Sequence, residues 1–303
     1  MSEGPTIFDR ALIRRRLRRA AALSPATFLL DRVADDLAER LQTVLRQFDV
    51  AVDLGTPGEA VRRTLARLPS IGSVAATGPT LDLLIGANQM ERLIVADEEA
   101  LPFRDASLDL VVSALALQFV NDLPGTLAQV RRALKPDGLF LAALLGGETL
   151  TELRQAFAAA ESEVEGGVSP RVAPFADLRD LGALLQRAGF ALPVTDTDRL
   201  IVRYDTVFGL MHDLRRMGAT NALLDRRRTP LRRTTLMRMA EIYAQRFADT
   251  DGRVRATFEI VWLSGWAPHP RQQQPLKPGS ASTRLADALG TREISAGEKV
   301  RRN

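Results

Sequence analysis

Apolar positions follow a helical period at the start of this chain and gather into short unbroken runs after it. Phe28, Leu29, Val33, Leu37, Leu41, Val44 and Leu45 recur close to every 3.6 residues, which predicts an amphipathic helix over 25–48, behind a first helix over 8–22. Val50-Ala51-Val52-Asp53-Leu54-Gly55 then reads as a buried strand stopped by a glycine turn. Further strands are predicted at 71–77, 93–96, 108–114 and 139–145, with helices at 60–68 and 123–134 between them. Lys135-Pro136-Asp137-Gly138 ends the second of these helices and turns the chain. Past Gly146-Gly147 the pattern gives helices at 149–163 and 177–188, the second closed by Gly189. A strand at 198–204 alternates at Leu200 and Val202, helices follow at 207–217 and 234–247, and a last strand covers 257–266.

Strands alternating with helices imply parallel pairing through right-handed crossovers. The expected fold is α/β: a seven-stranded, mostly parallel, Rossmann-like sheet with helices on both faces. Residues 1–48 form an amino-terminal helical segment, and 49–267 form the sheet domain with a helical insertion at about 205–250. Residues 268–303, rich in Pro, Gln, Gly and charge, read as a disordered tail. No internal repeat is visible.

Such sheets bind ligands in the crevice outside the carboxyl ends of their strands, which makes the strand-ending residues the ones to inspect. After the first strand, Asp53-Leu54-Gly55-Thr56-Pro57-Gly58-Glu59 places glycines at 55 and 58, where the chain must turn tightly and leave room for a close neighbour. The strand at 71–77 ends in Thr77-Gly78-Pro79, without a carboxylate; Asp82 comes several residues later. The strand at 93–96 runs into Asp97-Glu98-Glu99-Ala100-Leu101-Pro102-Phe103, an acidic rim able to accept hydrogen bonds. Asp109, at the amino end of its strand, reads as structural. Ala114 and Leu115 close the fourth strand, and Gln118, Asn121, Asp122 and Glu148 are polar groups expected at the mouth, Asn121-Asp122 doubling as a helix cap.

Composition removes several classes of chemistry. There is no Cys, so disulfides, thiolate metal sites and cysteine nucleophiles are excluded, and two His, His212 and His269, offer no metal cluster or Ser/His/Asp arrangement. The net charge is +4 and the cations are nearly all Arg, the only Lys being Lys135, Lys277 and Lys299. Basic runs such as Arg14-Arg15-Arg16-Leu17-Arg18-Arg19 and Arg226-Arg227-Arg228 read as solvated helix faces. They lack the interleaved aromatics that single-strand binding uses, and no nucleic-acid partner is expected. Glu3 and Asp9 interrupt the start, which reads as a structural helix rather than a transit peptide. No apolar run reaches the roughly 18 residues of a membrane span. The chain therefore reads as soluble and cytoplasmic in a bacterium, or matrix-located in a eukaryote, with transient contact with a membrane surface left open.

Val95-Ala96-Asp97-Glu98-Glu99-x-Leu101-Pro102-Phe103, Asn121-Asp122-Leu123-Pro124, Leu134-Lys135-Pro136-Asp137-Gly138 and Gly146-Gly147-Glu148-Thr149-Leu150 resemble an assembly-factor family of mitochondrial respiratory complex I that hydroxylates arginine, and its alphaproteobacterial relatives. Glu165-Gly166-Gly167-x-Ser169-Pro170, Asp180-Leu181-Gly182, Asp213-Leu214-x-x-Met217-Gly218 and Gly265-Trp266 extend the likeness to nearly everything but the tail. The malonyl-carrier-protein methyltransferases share its Leu-Pro-Phe and Lys-Pro-x-Gly pattern. This resemblance implies a class I methyltransferase fold that uses S-adenosylmethionine as cofactor. Asp53, Gly55, Gly58, Asp97, Glu98, Ala114 and Leu115 would then bind the cofactor, and Gln118, Asn121, Asp122 and Glu148 would face the substrate. The implied activity is methyl transfer, with a protein as the substrate; arginine hydroxylation, or chaperoning of a complex I subunit without catalysis, are the alternatives. In departure from the family pattern, Pro57 and Glu59 stand where later glycines are usual, and the acid after the second strand is missing.

Overall fold

Seven strands form one sheet in the order β3-β2-β1-β4-β5-β7-β6, and their placement decides where a ligand can enter. The computed structural model describes residues 6–84 and 92–272, together with 283, 287 and 289–292. The chain runs α1 (Arg10–Ala22), α2 (Phe28–Gln42), β1 (Phe48–Leu54), α3 (Ala60–Leu65), β2 (Ile71–Gly78), α4 (Leu81–Leu84), β3 (Arg92–Val95), β4 (Leu108–Ala114), α5 (Leu123–Ala133), β5 (Leu134–Leu145), α6 (Thr151–Glu165), α7 (Leu178–Arg187), β6 (Ala191–Tyr204), α8 (Val207–Arg216), α9 (Arg233–Phe247) and β7 (Val254–Trp266). β1 to β5 pair in parallel, and β7 lies antiparallel between β5 and β6. The residues divide into the units Met1–Pro268 and His269–Asn303, and the first carries everything that follows. The expected disorder of the tail falls mostly outside the described residues.

Strand alternation sorts the core into two layers. In β1, Ala51 packs on one face and Val52 on the other; in β5, Leu141, Ala143 and Leu145 oppose Phe140, Ala142 and Leu144. The first face is covered by α2, α3, α6, α8 and α9, the second by α5 and α7. Both faces of the central strands are therefore apolar, which is why they read as continuous hydrophobic runs.

Three sequence expectations shift. The helix expected to reach residue 48 ends at Gln42, and β1 begins at Phe48, whose N–H is already taken by the Ser70 carbonyl at 2.8 Å. Leu45, placed on the helical stripe, is instead exposed in the connection. Lys135-Pro136-Asp137-Gly138 lies inside β5 as a bulge: the register on β4 jumps from Leu108↔Leu134 to Leu110↔Leu139, and Asp137 takes a positive φ of 63°. Lys135 reaches from it to Asp109, at 2.8 and 2.9 Å, and Asp109 accepts the Val50 N–H, so Asp109 ties the amino ends of β1 and β4 together. β6 begins at Ala191 rather than 198 because its polar stretch faces α2, where Arg40 bonds Asp196 at 2.7 Å and lies over the Trp262 ring.

Candidate functional site

Between β1 and β4 the connections leave in opposite directions, from β1 to β2 on one side and from β4 to β5 on the other, and this switch point opens a crevice at the carboxyl ends. Short bonds fix its floor. The Gly55 N–H donates to the Thr77 carbonyl at 3.1 Å, the Ser113 hydroxyl donates to the Leu54 carbonyl at 2.7 Å, and the Ala114 N–H donates to Thr56 Oγ1 at 3.0 Å. Asp53 and Ala114 are buried beneath it and do not line it.

Gly55 has a φ of 72°, and a Cβ added there would stand 2.6 Å from Glu98 Oε1. The glycine is thus required by the chain's own acid, which lies directly over the turn. Glu98 is 5% exposed and pairs with Arg10 of α1. Arg10 also bonds Asp97 at 2.9 Å, and Arg14, one helical turn on, pairs with the second oxygen of Asp97. Glu99 turns away from the crevice: its carboxylate accepts the Asn121 N–H, and its carbonyl accepts Gln129 Nε2 at 2.8 Å.

Desolvation raises the Asp97 pKa, but the Glu99 backbone N–H and the guanidinium groups of Arg10 and Arg14 outweigh it and hold the carboxyl below its ordinary value. A depressed acid contributes stability above its unfolded pKa and loses it as pH falls through the folded one. The α1 attachment should therefore survive at pH 5 and weaken only below roughly pH 4, the ordinary Asp value. Hydrogen exchange of residues 10–22 at a series of pH values checks this; release near pH 5.5 would contradict it.

A cavity of about 690 Å³ extends from the crevice, within the roughly 300–1,000 Å³ usual for small-molecule sites. Gly55, Gly58, Glu98, Leu115 and Gln118 line it, with Leu145, Leu153, Phe157 and Phe258 among its apolar walls. Leu115, directly after β4, and Leu150, directly before α6, both line the cavity with positive φ, 53° and 56°. The Leu115 carbonyl accepts Gln118 Nε2 at 2.7 Å, which fixes that amide's orientation because a carbonyl cannot donate. Gln118 Oε1 is left buried without a hydrogen-bond partner among the described residues.

The other polar residues expected at the mouth are engaged elsewhere. Asn121 Oδ1 accepts the Ile7 and Phe8 N–H groups at 2.8 and 2.7 Å, and its Nδ2 donates to the Phe8 carbonyl. Asp122 caps α5 by accepting the Gly125 N–H at 2.8 Å. Glu148 is exposed and does not line the cavity, although its N–H bonds Glu259. Arg10 and Arg14, which are not among the residues expected at the site, also line the cavity. Arg14 belongs to a run read as a solvated face, and that expectation fails for it while Arg15, Arg18 and Arg19 are exposed. The available signal was their spacing: residues 10 and 14 share one face of a helix. Among the described residues, no three His, Asp or Glu gather so as to hold a metal ion.

Comparison with known proteins follows the same lines. The family described as "Methyltransferase domain" matches residues 52–142. The chain is 37% identical over 290 residues to the mitochondrial arginine-hydroxylase NDUFAF5 of Danio rerio, covering 94% of this chain and 90% of that one. It is 35% identical over 286 residues to the malonyl-[acyl-carrier protein] O-methyltransferase of Laribacter hongkongensis, covering 89% and 94%. Among solved structures, the YcgJ protein of Bacillus subtilis aligns with a TM-score of 0.53 at 16% identity, over 78% of this chain and 98% of that one, a likeness of fold alone.

Proposed function

This chain belongs to the methyltransferase-fold family that includes the arginine-hydroxylase NDUFAF5 and the malonyl-[acyl-carrier protein] O-methyltransferases, and on that premise we propose that its crevice binds S-adenosylmethionine and serves modification of a protein substrate. It is a class I methyltransferase-like protein. The observation that carries the cofactor reading is the Gly55 turn with the Glu98 carboxylate over it, both opening onto the cavity at the switch point.

The residues fit such a ligand in a modified way. β2 ends without an acid, so among the carboxylates lining the cavity Glu98, which lies over the Gly55 turn, would accept the ribose hydroxyls, and Pro57 removes one backbone donor from the turn. When bound, the cofactor supplies a methyl group activated on a sulfonium. The chain's part is alignment, through the fixed backbone of Leu115 and the unpaired Gln118 Oε1, which would accept a hydrogen bond from an incoming N–H or O–H. Calorimetry with S-adenosylmethionine tests the reading. Binding is expected in the wild type and at least tenfold weaker in Glu98→Gln, which keeps the shape and removes the charge. Absence of binding at millimolar ligand sinks it.

One observation favours a second reading, a non-catalytic assembly chaperone: the chain's own arginines already neutralise Asp97 and Glu98. The resemblance to complex I assembly factors makes a subunit of that complex the partner for either reading. Mass spectrometry of the partner separates the outcomes: a gain of one methyl, a gain of one oxygen, or no change.

A further inference from the structure

Two arginines of the amino-terminal helix sit on Asp97 and Glu98, and of these two carboxylates it is Glu98 that lines the cavity. Arg10 binds both Asp97 and Glu98, and Arg14 binds Asp97, so one helix face neutralises the acidic rim. Neither guanidinium is fully satisfied: Arg10 Nε and Arg14 Nε are buried without hydrogen-bond partners among the described residues. Unsatisfied buried donors weaken the docked state, which suits a contact that can be released.

The opposite side of α1 is fastened to the insertion instead. Arg16 donates to the Thr220 carbonyl at 2.6 Å, the Asp9 N–H to the Ala222 carbonyl at 2.9 Å, and Arg226 pairs with Asp9 at 3.1 Å. Gly218 packs so closely on Leu17 that a Cβ there would stand 2.9 Å from its Cδ2. α1 and the stretch from Gly218 to Arg226 are thus joined to each other, and the polar part of their attachment to the sheet domain's rim is the ion pairs and the strap at Asn121, beside the apolar contact of Phe8 with Phe119.

We propose that α1 is a releasable lid, held down by Arg10 and Arg14 on Asp97, whose Arg10 competes with S-adenosylmethionine for Glu98. This rests on the cofactor reading above. The lid lowers the fraction of molecules able to bind, and the observed affinity falls by that fraction. A partner that grips the insertion would lift the arginines away and raise cofactor affinity, coupling the two events reciprocally.

The test compares cofactor binding in the full chain and in Arg10→Gln/Arg14→Gln. The lid predicts at least tenfold tighter binding in the double variant, with Arg15→Gln/Arg19→Gln unchanged. It also predicts faster hydrogen exchange over residues 10–22 of the wild type when S-adenosylmethionine is added, a readout independent of whether the variant folds. Binding that is unchanged or weaker in the double variant, or slower exchange on adding ligand, overturns the lid while leaving the cofactor reading intact. Absence of binding in both proteins overturns the cofactor reading itself, and the lid with it.

Discussion

Gly55→Ala is expected to destabilise the protein by roughly 2–4 kcal/mol, combining a left-handed backbone with overpacking, and to abolish ligand binding in the crevice. The backbone at Gly55 has a φ of 72°, and the new methyl would stand 2.6 Å from Glu98 Oε1 and 2.7 Å from its Cγ. Glu98 cannot simply swing aside, because it is buried and held by Arg10. Gly58 is the matched control. It has a φ of 82° but nothing within 4 Å of its would-be Cβ, so Gly58→Ala should cost only the conformational part, about 1–2 kcal/mol. Urea unfolding of the two variants measures the difference. Combining Gly55→Ala with Glu98→Ala should recover part of the loss, since the two residues are in contact and their effects will not add. Equal losses for Gly55→Ala and Gly58→Ala would mean that Glu98 does not press on the turn.

Much of this arrangement was legible because it follows from local rules. The central strands are buried on both faces, so their apolar runs stand out, and the acids at 97–99 mark where one strand stops. What was hidden depends on partners far away in sequence. A guanidinium looks the same on a helix whether it faces water or a carboxylate 83 residues on, as Arg14 does. The polar stretch of β6 obscures a strand because its acids answer Arg40 and Arg32 on α2. Lys135-Pro136-Asp137-Gly138 carries turn chemistry, yet it serves a bulge because Asp109 draws Lys135 back onto the sheet.

Asn121 and Asp122 look alike in sequence and are distinguished only by the fold. Asp122 serves its own helix, whereas Asn121 holds a segment 113 residues earlier. Asn121→Ala is expected to cost roughly 2–4 kcal/mol, since it strands two backbone donors and one acceptor at about 1–3 kcal/mol for each one buried. The Phe8 N–H will weigh most: Phe8 is 5% exposed and lies edge-on against Phe119, their ring centroids 5.7 Å apart. The Ile7 N–H, in an exposed residue, can turn to water and will weigh less. Because this strap and the ion pairs of Arg10 and Arg14 hold the same segment, its loss should free α1 first, seen as early proteolytic cleavage before residue 24 in a protein otherwise folded. If Asn121 instead acted on substrate, Asn121→Ala would leave unfolding and cleavage unchanged and impair only the reaction. A stable, cleavage-resistant variant would therefore return Asn121 to the site and remove the strap from the account of how α1 is held.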